Sequence, residues 1–228
     1  YAAMIDRVDM SIGRVLDKLS ELDKTKNTLI LFMSDNGSSS EVVTLPGEGE
    51  IGSLTLWTSL KRDWANVSNT PYRFFKNYSH EGGICTPLIA SCPAGIVNPG
   101  RVSEFCGHFI DIMPTLVDIS GAEYPSTFNA QDITPMQGES LLPVLKGESV
   151  NRTKTLFWEW RNGKAIRHGK WKLVSFGKDS AWELYDMDTD RTETTNLADT
   201  QAEIVKELSG LWKAWAIENN IIEPDTRP

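Results

Sequence analysis

The feature that most constrains the fold is an amphipathic repeat followed directly by a short apolar run. Apolar residues recur at steps of three and four from Ile5 to Leu22, and most charged residues fall on the other face, which predicts an amphipathic helix. Residues 29–33 are then apolar without interruption, and a run this short predicts a strand buried on both faces. Because a helix leading into a buried strand is typical of layered sheets, we expect an α/β fold.

Further segments extend this α/β region. Residues 87–92 predict a second short buried strand, and residues 109–119 predict a helix that Gly121 ends. Residues 38–72 are a long stretch rich in Gly, Ser and Thr, and loops of that length are usually functional or mobile. Residues 126–138 predict another irregular connection.

The pattern changes near residue 155, where short segments rich in Trp, Phe, Leu and Val begin. Asn162-Gly163 is a strong hairpin signal, so these segments predict an antiparallel meander. A helix follows, with Thr200 and Glu203 predicted to form a capping box at its start. The predicted strands are residues 155–160, 164–167, 171–176 and 181–185.

This change also predicts two domains, which a length of 228 residues allows. We place the boundary within residues 146–154. Residues 1–150 then form the layered α/β part, and residues 151–228 form a small C-terminal antiparallel sheet packed with a helix.

The composition excludes several classes of protein. Apolar residues make up 40% of the chain and charged residues 24%, which is ordinary for a globular protein with a core. The net charge of −8 gives no sign of a nucleic-acid-binding surface, and no apolar run approaches the roughly 20 residues that span a bilayer. The three cysteines exclude a fully paired intramolecular set, and their spacing does not indicate a metal site.

Asp35 and Asn36 stand directly after the first predicted strand, where ligands bind in open α/β sheets. A carboxylate and an amide oxygen are hard ligands that suit calcium or magnesium. Ser-Asp-Asn-Gly is equally a turn sequence, so residue types leave both interpretations open. Calcium takes about six to eight oxygens, and further ligands must therefore come from elsewhere.

Three other side chains are candidates for chemistry. Lys76 precedes a Glu-Gly-Gly element at residues 81–83 and is either a point charge for an anion or a solvated surface lysine. His80 could be an acid, a ligand or a surface residue, and we favour the surface. His108 precedes an apolar helix and is better explained as a hydrogen-bonded structural residue. The sequence contains no phosphate loop, dinucleotide fingerprint or recognisable Ser-His-Asp set.

Taken in order, several segments resemble the type I sulfatases of the alkaline-phosphatase-like superfamily. The resemblance extends over nearly the whole chain and implies part of an alkaline-phosphatase-like layered sheet, followed by the small antiparallel sheet. Each segment alone is weak evidence for this family, whereas the ordered set is specific to it. The segments are residues 1–6, 31–37, 76–87, 107–115, 165–173 and 183–186.

The resemblance implies roles for three residues: Asp35 and Asn36 as calcium ligands and Lys76 as a contact to the sulfate. The family's nucleophile is a formylglycine made from a Cys/Ser-x-Pro-x-Arg motif upstream, together with further aspartate ligands. This chain lacks that motif. Residues 85–89 begin like it, but Ile89 stands where arginine is required.

The implied function is sulfuric ester hydrolysis by a longer protein. Residues 1–150 would be the C-terminal part of the catalytic domain, whose missing N-terminal half would be the partner of this chain. By itself the chain is expected to be inactive. The family further implies a periplasmic or secreted location, and homo-oligomerisation is left open.

The expected substrate is a sulfated carbohydrate or an aryl sulfate. The eight tryptophans are either core residues or platforms for sugar rings. A phosphate or phosphonate ester hydrolase of the same superfamily is the alternative enzyme, and a non-catalytic fragment or interaction module is the alternative to an enzyme. Besides Lys76, the candidate substrate contacts are Trp57, Lys61, Arg62, Trp64 and His80.

Overall fold

The computed structural model describes residues 1–43, 45–177 and 179–221, and it combines helices with small sheets, as predicted. The helices are α1 (Ala2–Glu21), α2 (Lys61–Ser68), α3 (Glu81–Ile84), α4 (Ile112–Ser120), α5 (Leu142–Leu145) and α6 (Ala202–Glu218). Short 3-10 helices cover Thr25–Asn27 and Phe109–Asp111. The strands are β1 (Ile30–Met33), β2 (Leu88–Ser91), β3 (Thr127–Phe128), β4 (Gln131–Asp132), β5 (Leu156–Trp160), β6 (Gly163–His168), β7 (Trp171–Phe176) and β8 (Glu183–Asp186).

The chain divides into two units. The first comprises Tyr1–Phe32 and Leu88–Lys154, and the second comprises Met33–Pro87 and the chain from Thr155 onward. We expected residues 33–87 to belong with the α/β part and the meander to stand apart from them. Instead this segment and the meander share one unit, because buried ion pairs described below join them.

In the first unit, the predicted helices and strands form where the sequence places them. Gly121 ends α4 at φ 65°, a left-handed conformation that glycine adopts without strain. β1 and β2 pair in a two-stranded sheet. The prediction that these strands are buried on both faces is wrong, since Phe32 is 48% and Ile89 60% exposed. Two short strands bury little surface by themselves.

In the first unit, a buried ion pair between Arg152 and Asp111 joins several chain segments. Arg152 donates to both carboxylate oxygens of Asp111, at 2.6 and 3.0 Å. The backbone N–H groups of His108 and Glu139 donate to the same carboxylate at 2.7 and 2.8 Å. His108 Nδ1 in turn accepts from the N–H of Ile110 at 3.2 Å, which confirms its predicted structural role.

In the second unit, β5 to β8 form an antiparallel sheet in chain order, as predicted. Trp160 pairs with Gly163 across the first hairpin. The turn is therefore Arg161-Asn162, one residue earlier than the Asn-Gly signal indicates, and Arg161 has a φ of 54°.

Helix α6 packs on one face of this sheet. The N-cap residue of α6 is Gln201, without a side-chain capping bond, so the predicted Thr200–Glu203 capping box is wrong. Burying each large apolar side chain stabilises the fold by about 1.5–3 kcal/mol. The buried core between sheet and helix contains Ile166, Leu173, Leu184, Leu208, Trp212 and Ala216.

Two stretches predicted to be irregular contain regular structure. Helix α2 lies within residues 38–72, and the β3–β4 hairpin lies within residues 126–138. Among the helices of the described ranges, none combines the length and apolar character needed to cross a membrane.

Candidate active site

The turn that follows β1 is joined to α3 and to the residues after it by two hydrogen bonds. The N–H of Gly37 donates to the carbonyl of Gly83 at 3.0 Å, and Thr86 Oγ1 donates to the carbonyl of Ser34 at 2.9 Å. A Cβ at position 37 would lie 1.8 Å from the carbonyl oxygen of Gly82. Only glycine therefore allows this close approach of the two segments.

Lys76 belongs to the same arrangement. Its N–H donates to the carbonyl of Ser38 at 3.0 Å, and the N–H of Ser38 donates to Asn69 Oδ1 at 2.9 Å. Lys76 Nζ lies 3.7 Å from Glu41 Oε2, and both side chains are partly exposed, so this ion pair is loose. The segment that carries Lys76 is thus held beside the Ser34–Gly37 turn.

Asp35 and Asn36 fit part of a calcium site. Asp35 is exposed and its Oδ1 accepts from the N–H of Asn36 at 3.0 Å, while Asn36 Nδ2 donates to the carbonyl of Gly37 at 2.8 Å. That bond fixes the orientation of the amide and leaves its oxygen for a ligand. Two hard oxygens are too few for calcium. Within the described ranges, no group of three or more His, Cys, Asp or Glu side chains converges to hold a metal.

The second unit also contains a buried ion cluster around Lys172 that the sequence did not predict. Lys172 is completely buried, and its ammonium lies 2.5 Å from Glu81 Oε1 and 2.7 Å from Glu193 Oε1. Glu193 Oε2 also accepts from the N–H of Glu81 at 2.9 Å. The cluster therefore ties the first residue of α3 to β7 and to the chain after β8.

The two carboxyl groups of this cluster differ in their pKa. Burial pushes the pKa of Glu81 upward, but the charge and hydrogen bond of Lys172 outweigh burial and hold that pKa below its usual value. At Glu193 burial prevails over Lys172, and the pKa is raised. Burial lowers the pKa of Lys172, yet the two carboxylates more than reverse this, so the ammonium stays charged.

His80 is not the surface residue that we favoured. Only 1% of it is exposed, because the residue sits at the start of α3 among buried side chains. Burial and the nearby Lys172 lower its pKa to about 4, although Glu183 Oε2 lies 3.5 Å from Nε2. That contact lacks hydrogen-bond geometry, and within the described ranges neither ring nitrogen has a hydrogen-bond partner. His80 is therefore neutral at neutral pH and poorly placed to touch a substrate.

Arg73 connects the cluster to the meander. Its Nη1 donates to the Glu193 carbonyl at 2.6 Å, to the Tyr185 hydroxyl at 2.7 Å and to Glu183 Oε2 at 3.2 Å. The Tyr185 hydroxyl also donates to Glu183. Arg73 thus joins the segment just before Lys76 to the chain around residues 183–193 in one network.

The predicted substrate contacts in residues 38–72 are only partly brought to this site. Arg62 lies 6.0 Å from the ring centre of Phe75, the neighbour of Lys76, and it lines a pocket of about 420 Å³. Trp57, Lys61 and Trp64 are exposed, and the described contacts do not link them to Lys76.

The sequence matches two family descriptions. Residues 1–122 match Sulfatase, and residues 71–214 match N-sulphoglucosamine sulphohydrolase, C-terminal. An uncharacterized sulfatase of Schizosaccharomyces pombe is 29% identical over 97% of this chain and 44% of its own length. A sulfatase of Formosa agariphila is 29% identical over 96% of this chain and 40% of its own length. The chain thus spans less than half of these relatives.

A solved structure has a similar fold. The structure of BT4656 with its substrate D-glucosamine-2-N,6-O-disulfate matches 100% of this chain and 42% of that chain, with a TM-score of 0.66 and 24% identity. Each family match covers more than half of the 228 residues, in agreement with this likeness of fold. The chain belongs to the sulfatases of type I, in the alkaline-phosphatase-like superfamily.

Proposed function

We propose that this chain supplies part of the active site of a calcium-dependent sulfatase that removes sulfate from a sulfated carbohydrate. The family description over residues 71–214 refers to an aminosugar sulfohydrolase, and the structural neighbour BT4656 has a sulfated glucosamine as its substrate. Both support a carbohydrate over a simple aryl sulfate. The proposed location is periplasmic or secreted.

One observation carries this proposal: the backbone joins the Asp35–Asn36 turn, α3 and the Lys76 segment into one arrangement. Gly37 bonds to Gly83, and Lys76 bonds to Ser38, so a carboxylate, an amide oxygen and an ammonium are presented by neighbouring segments. The two oxygens suit a calcium ion, and that ion and the ammonium together would attract an anionic, oxygen-rich group.

Each residue has a definite role in the proposed reaction. Lys76 binds a sulfate oxygen as a point charge, and the loose contact with Glu41 allows the substrate to displace that carboxylate. Asp35 and Asn36 hold calcium together with ligands from beyond this chain. Calcium supplies positive charge that offsets the charge of the sulfate group. We assign the nucleophile to a formylglycine outside these 228 residues, so the chain alone is expected to be inactive.

The test uses a protein of the relatives' full length that contains this chain. We expect it to release sulfate from 4-nitrophenyl sulfate and from glucosamine 6-sulfate. Replacing Lys76 with Ala is expected to lower kcat/KM by about 10²–10³-fold, the usual effect of losing one group that stabilises a developing anion. The control is Lys18→Ala, which removes an exposed lysine of α1 and should leave the rate unchanged.

Two results would contradict the proposal. One is full activity of the Lys76→Ala variant. The other is a strong preference for 4-nitrophenyl phosphate or for a phosphonate monoester, which would favour the alternative enzyme of the same superfamily.

A further inference from the structure

Three tryptophans of the second unit are largely exposed, and one of them is held in place. Trp57, Trp160 and Trp64 expose 49%, 56% and 64% of their surface. The indole N–H of Trp160 donates to Asn77 Oδ1 at 3.0 Å. In the described ranges, the side chains of Trp57 and Trp64 form no hydrogen bond or ring contact. An exposed aromatic ring that is fixed in position loses little entropy when it binds a ligand.

The position of Trp160 relates it directly to the candidate site. Its partner Asn77 is the residue after Lys76, and consecutive Cα atoms are about 3.8 Å apart. The contact therefore fixes the indole beside the segment that carries the proposed sulfate contact.

Two further contacts hold β7 and the β5–β6 hairpin against residues 77–79. The ring of Phe176 stacks on Tyr78, with centroids 4.1 Å apart and planes at 26°. Gly163 lies so close to Ser79 that a Cβ there would be 3.0 Å from its Oγ. Residues 77–79 thus each touch the β5–β6 hairpin or its neighbouring strand, and the placement of Trp160 does not depend on a single bond.

The turn of this hairpin adds a positive charge. The guanidinium of Arg161 lies 5.5 Å from the centre of the Trp160 ring, and Arg161 occupies a left-handed turn position. An indole face suits the apolar face of a sugar ring, and a guanidinium binds sulfate or carboxylate through two hydrogen bonds. In a chain of net charge −8, the positive charge of Arg161 favours an anionic ligand beside Trp160.

We propose that Trp160 and Arg161 form a binding platform for the sugar ring of a sulfated saccharide whose sulfate reaches Lys76. The indole contacts the ring, and Arg161 contacts a further anionic substituent. This inference rests on the proposed function through the role of Lys76. It replaces Trp57 and Trp64 with Trp160 as the tryptophan that recognises the substrate.

The first test measures binding to the chain itself and requires no activity. The indole N–H signals of ¹⁵N-labelled chain are followed by NMR during titration with glucosamine 6-sulfate, and the Trp160→Phe variant assigns the Trp160 signal. We expect a saturable shift of that signal, larger than the shifts of Trp57 and Trp64. Glucosamine or inorganic sulfate alone should shift it less. An unmoved Trp160 signal, a larger shift at another tryptophan, or an equal effect of sulfate alone would overturn the proposal.

The second test measures kinetics in a protein of the relatives' full length. Trp160→Ala should raise the KM for glucosamine 6-sulfate by roughly tenfold, a typical size for the loss of one aromatic contact, and leave the KM for 4-nitrophenyl sulfate unchanged. Trp160→Phe should recover most of the loss. The control Phe128→Ala removes an exposed aromatic side chain of the first unit and should change neither constant.

The two proposals fail in different ways. If the unaltered protein releases sulfate and Trp160→Ala affects both substrates equally or neither, the platform is wrong and the sulfatase function stands. If the unaltered protein releases no sulfate, the proposed function fails, and the NMR titration still decides whether saccharide binds at Trp160.

Discussion

A buried ion cluster lies in each unit of the described chain, and these two clusters differ in how completely their polar atoms are hydrogen-bonded. In the first unit, both oxygens of Asp111 accept hydrogen bonds from Arg152 and from backbone N–H groups. In the second unit, Lys172 lies between Glu81 and Glu193, so two carboxylates share one ammonium. Glu193 Oε1 is close to that ammonium without hydrogen-bond geometry, and the adjacent His80 ring has no hydrogen-bond partner in the described ranges.

The clusters also differ in what they hold together. The Asp111 cluster joins residues within 106–154, since Arg152 also donates to the carbonyls of Cys106 and Lys154, and these partners lie in one stretch of the chain. The Lys172 cluster joins Glu81, next to the candidate site, to β7, 91 residues later, and to Glu193 beyond β8. Imperfectly satisfied polar groups are expected where function, rather than stability alone, shapes the packing. From this comparison we infer that the Asp111 cluster is structural and that the Lys172 cluster positions the candidate site.

The largest expected effect comes from removing the cation of each cluster. Lys172→Met leaves two carboxylates buried without a counter-charge and should lower the free energy of unfolding by about 3–5 kcal/mol. Arg152→Met should cost less, because two backbone N–H groups still donate to Asp111. Urea unfolding of both variants measures the difference. An equal or larger loss in Arg152→Met would remove the distinction between the clusters.

The second prediction concerns pH, the buried His80 and the partly buried His108. His80 has a pKa of about 4 in the folded chain against about 6.5 when unfolded, so its contribution to stability is complete above pH 6.5 and is lost as the pH falls to about 4. The loss amounts to roughly 3 kcal/mol, since one pKa unit corresponds to about 1.4 kcal/mol. Burial also lowers the pKa of His108, so its contribution changes in the same direction.

Unfolding free energies at pH 7 and pH 4 test this point with His80→Leu and His108→Leu. We expect His80→Leu to reduce the pH dependence in this window more than His108→Leu does. Unchanged pH dependence in His80→Leu would show that other groups control stability here.

A smaller effect is expected from the glycine at the junction with α3. Gly37→Ala forces a Cβ against the Gly82 carbonyl, and overpacking of this kind costs about 1–3 kcal/mol. The matched control is Gly13→Ala in α1, where the new Cβ meets nothing within 4 Å and should stabilise the helix by about 0.5–1 kcal/mol. Thermal unfolding of both variants measures the two changes in stability. An unchanged stability of Gly37→Ala would mean that the turn and α3 are less tightly joined.

Local patterns in the sequence predicted most of the fold. The repeat of α1, the apolar run of β1 and the hairpin signal before β6 are encoded by neighbouring residues, so their elements form close to where they were expected. The capping box at Thr200 and Glu203 failed because a residue pattern does not fix the exact first turn of a helix. The missed helix α2 has no strong boundary signals in a stretch rich in Gly and Ser.

The candidate site was harder to predict, because its parts meet only in the folded chain. Residue types made Asp35, Asn36 and Lys76 candidates and the resemblance gave them roles, but spacing alone could not bring them together. Lys172 was missed because β7 is a central strand buried on both faces, so alternation wrongly suggests an exposed lysine. The burial of His80 depends on distant partners such as Lys172 and Glu183, which the sequence around residue 80 does not show.

Amide hydrogen exchange tests most directly whether the Lys172 cluster positions the candidate site. The relevant probes are the Gly37 amide, bonded to Gly83, and the Lys76 amide, bonded to Ser38. The exchange rate of each amide is measured in Lys172→Met and in Arg152→Met, and each rate is corrected for the change in global stability. Faster exchange of both amides in Lys172→Met, but not in Arg152→Met, is the predicted result. Unchanged exchange in Lys172→Met, or equal acceleration in both variants, would contradict the account.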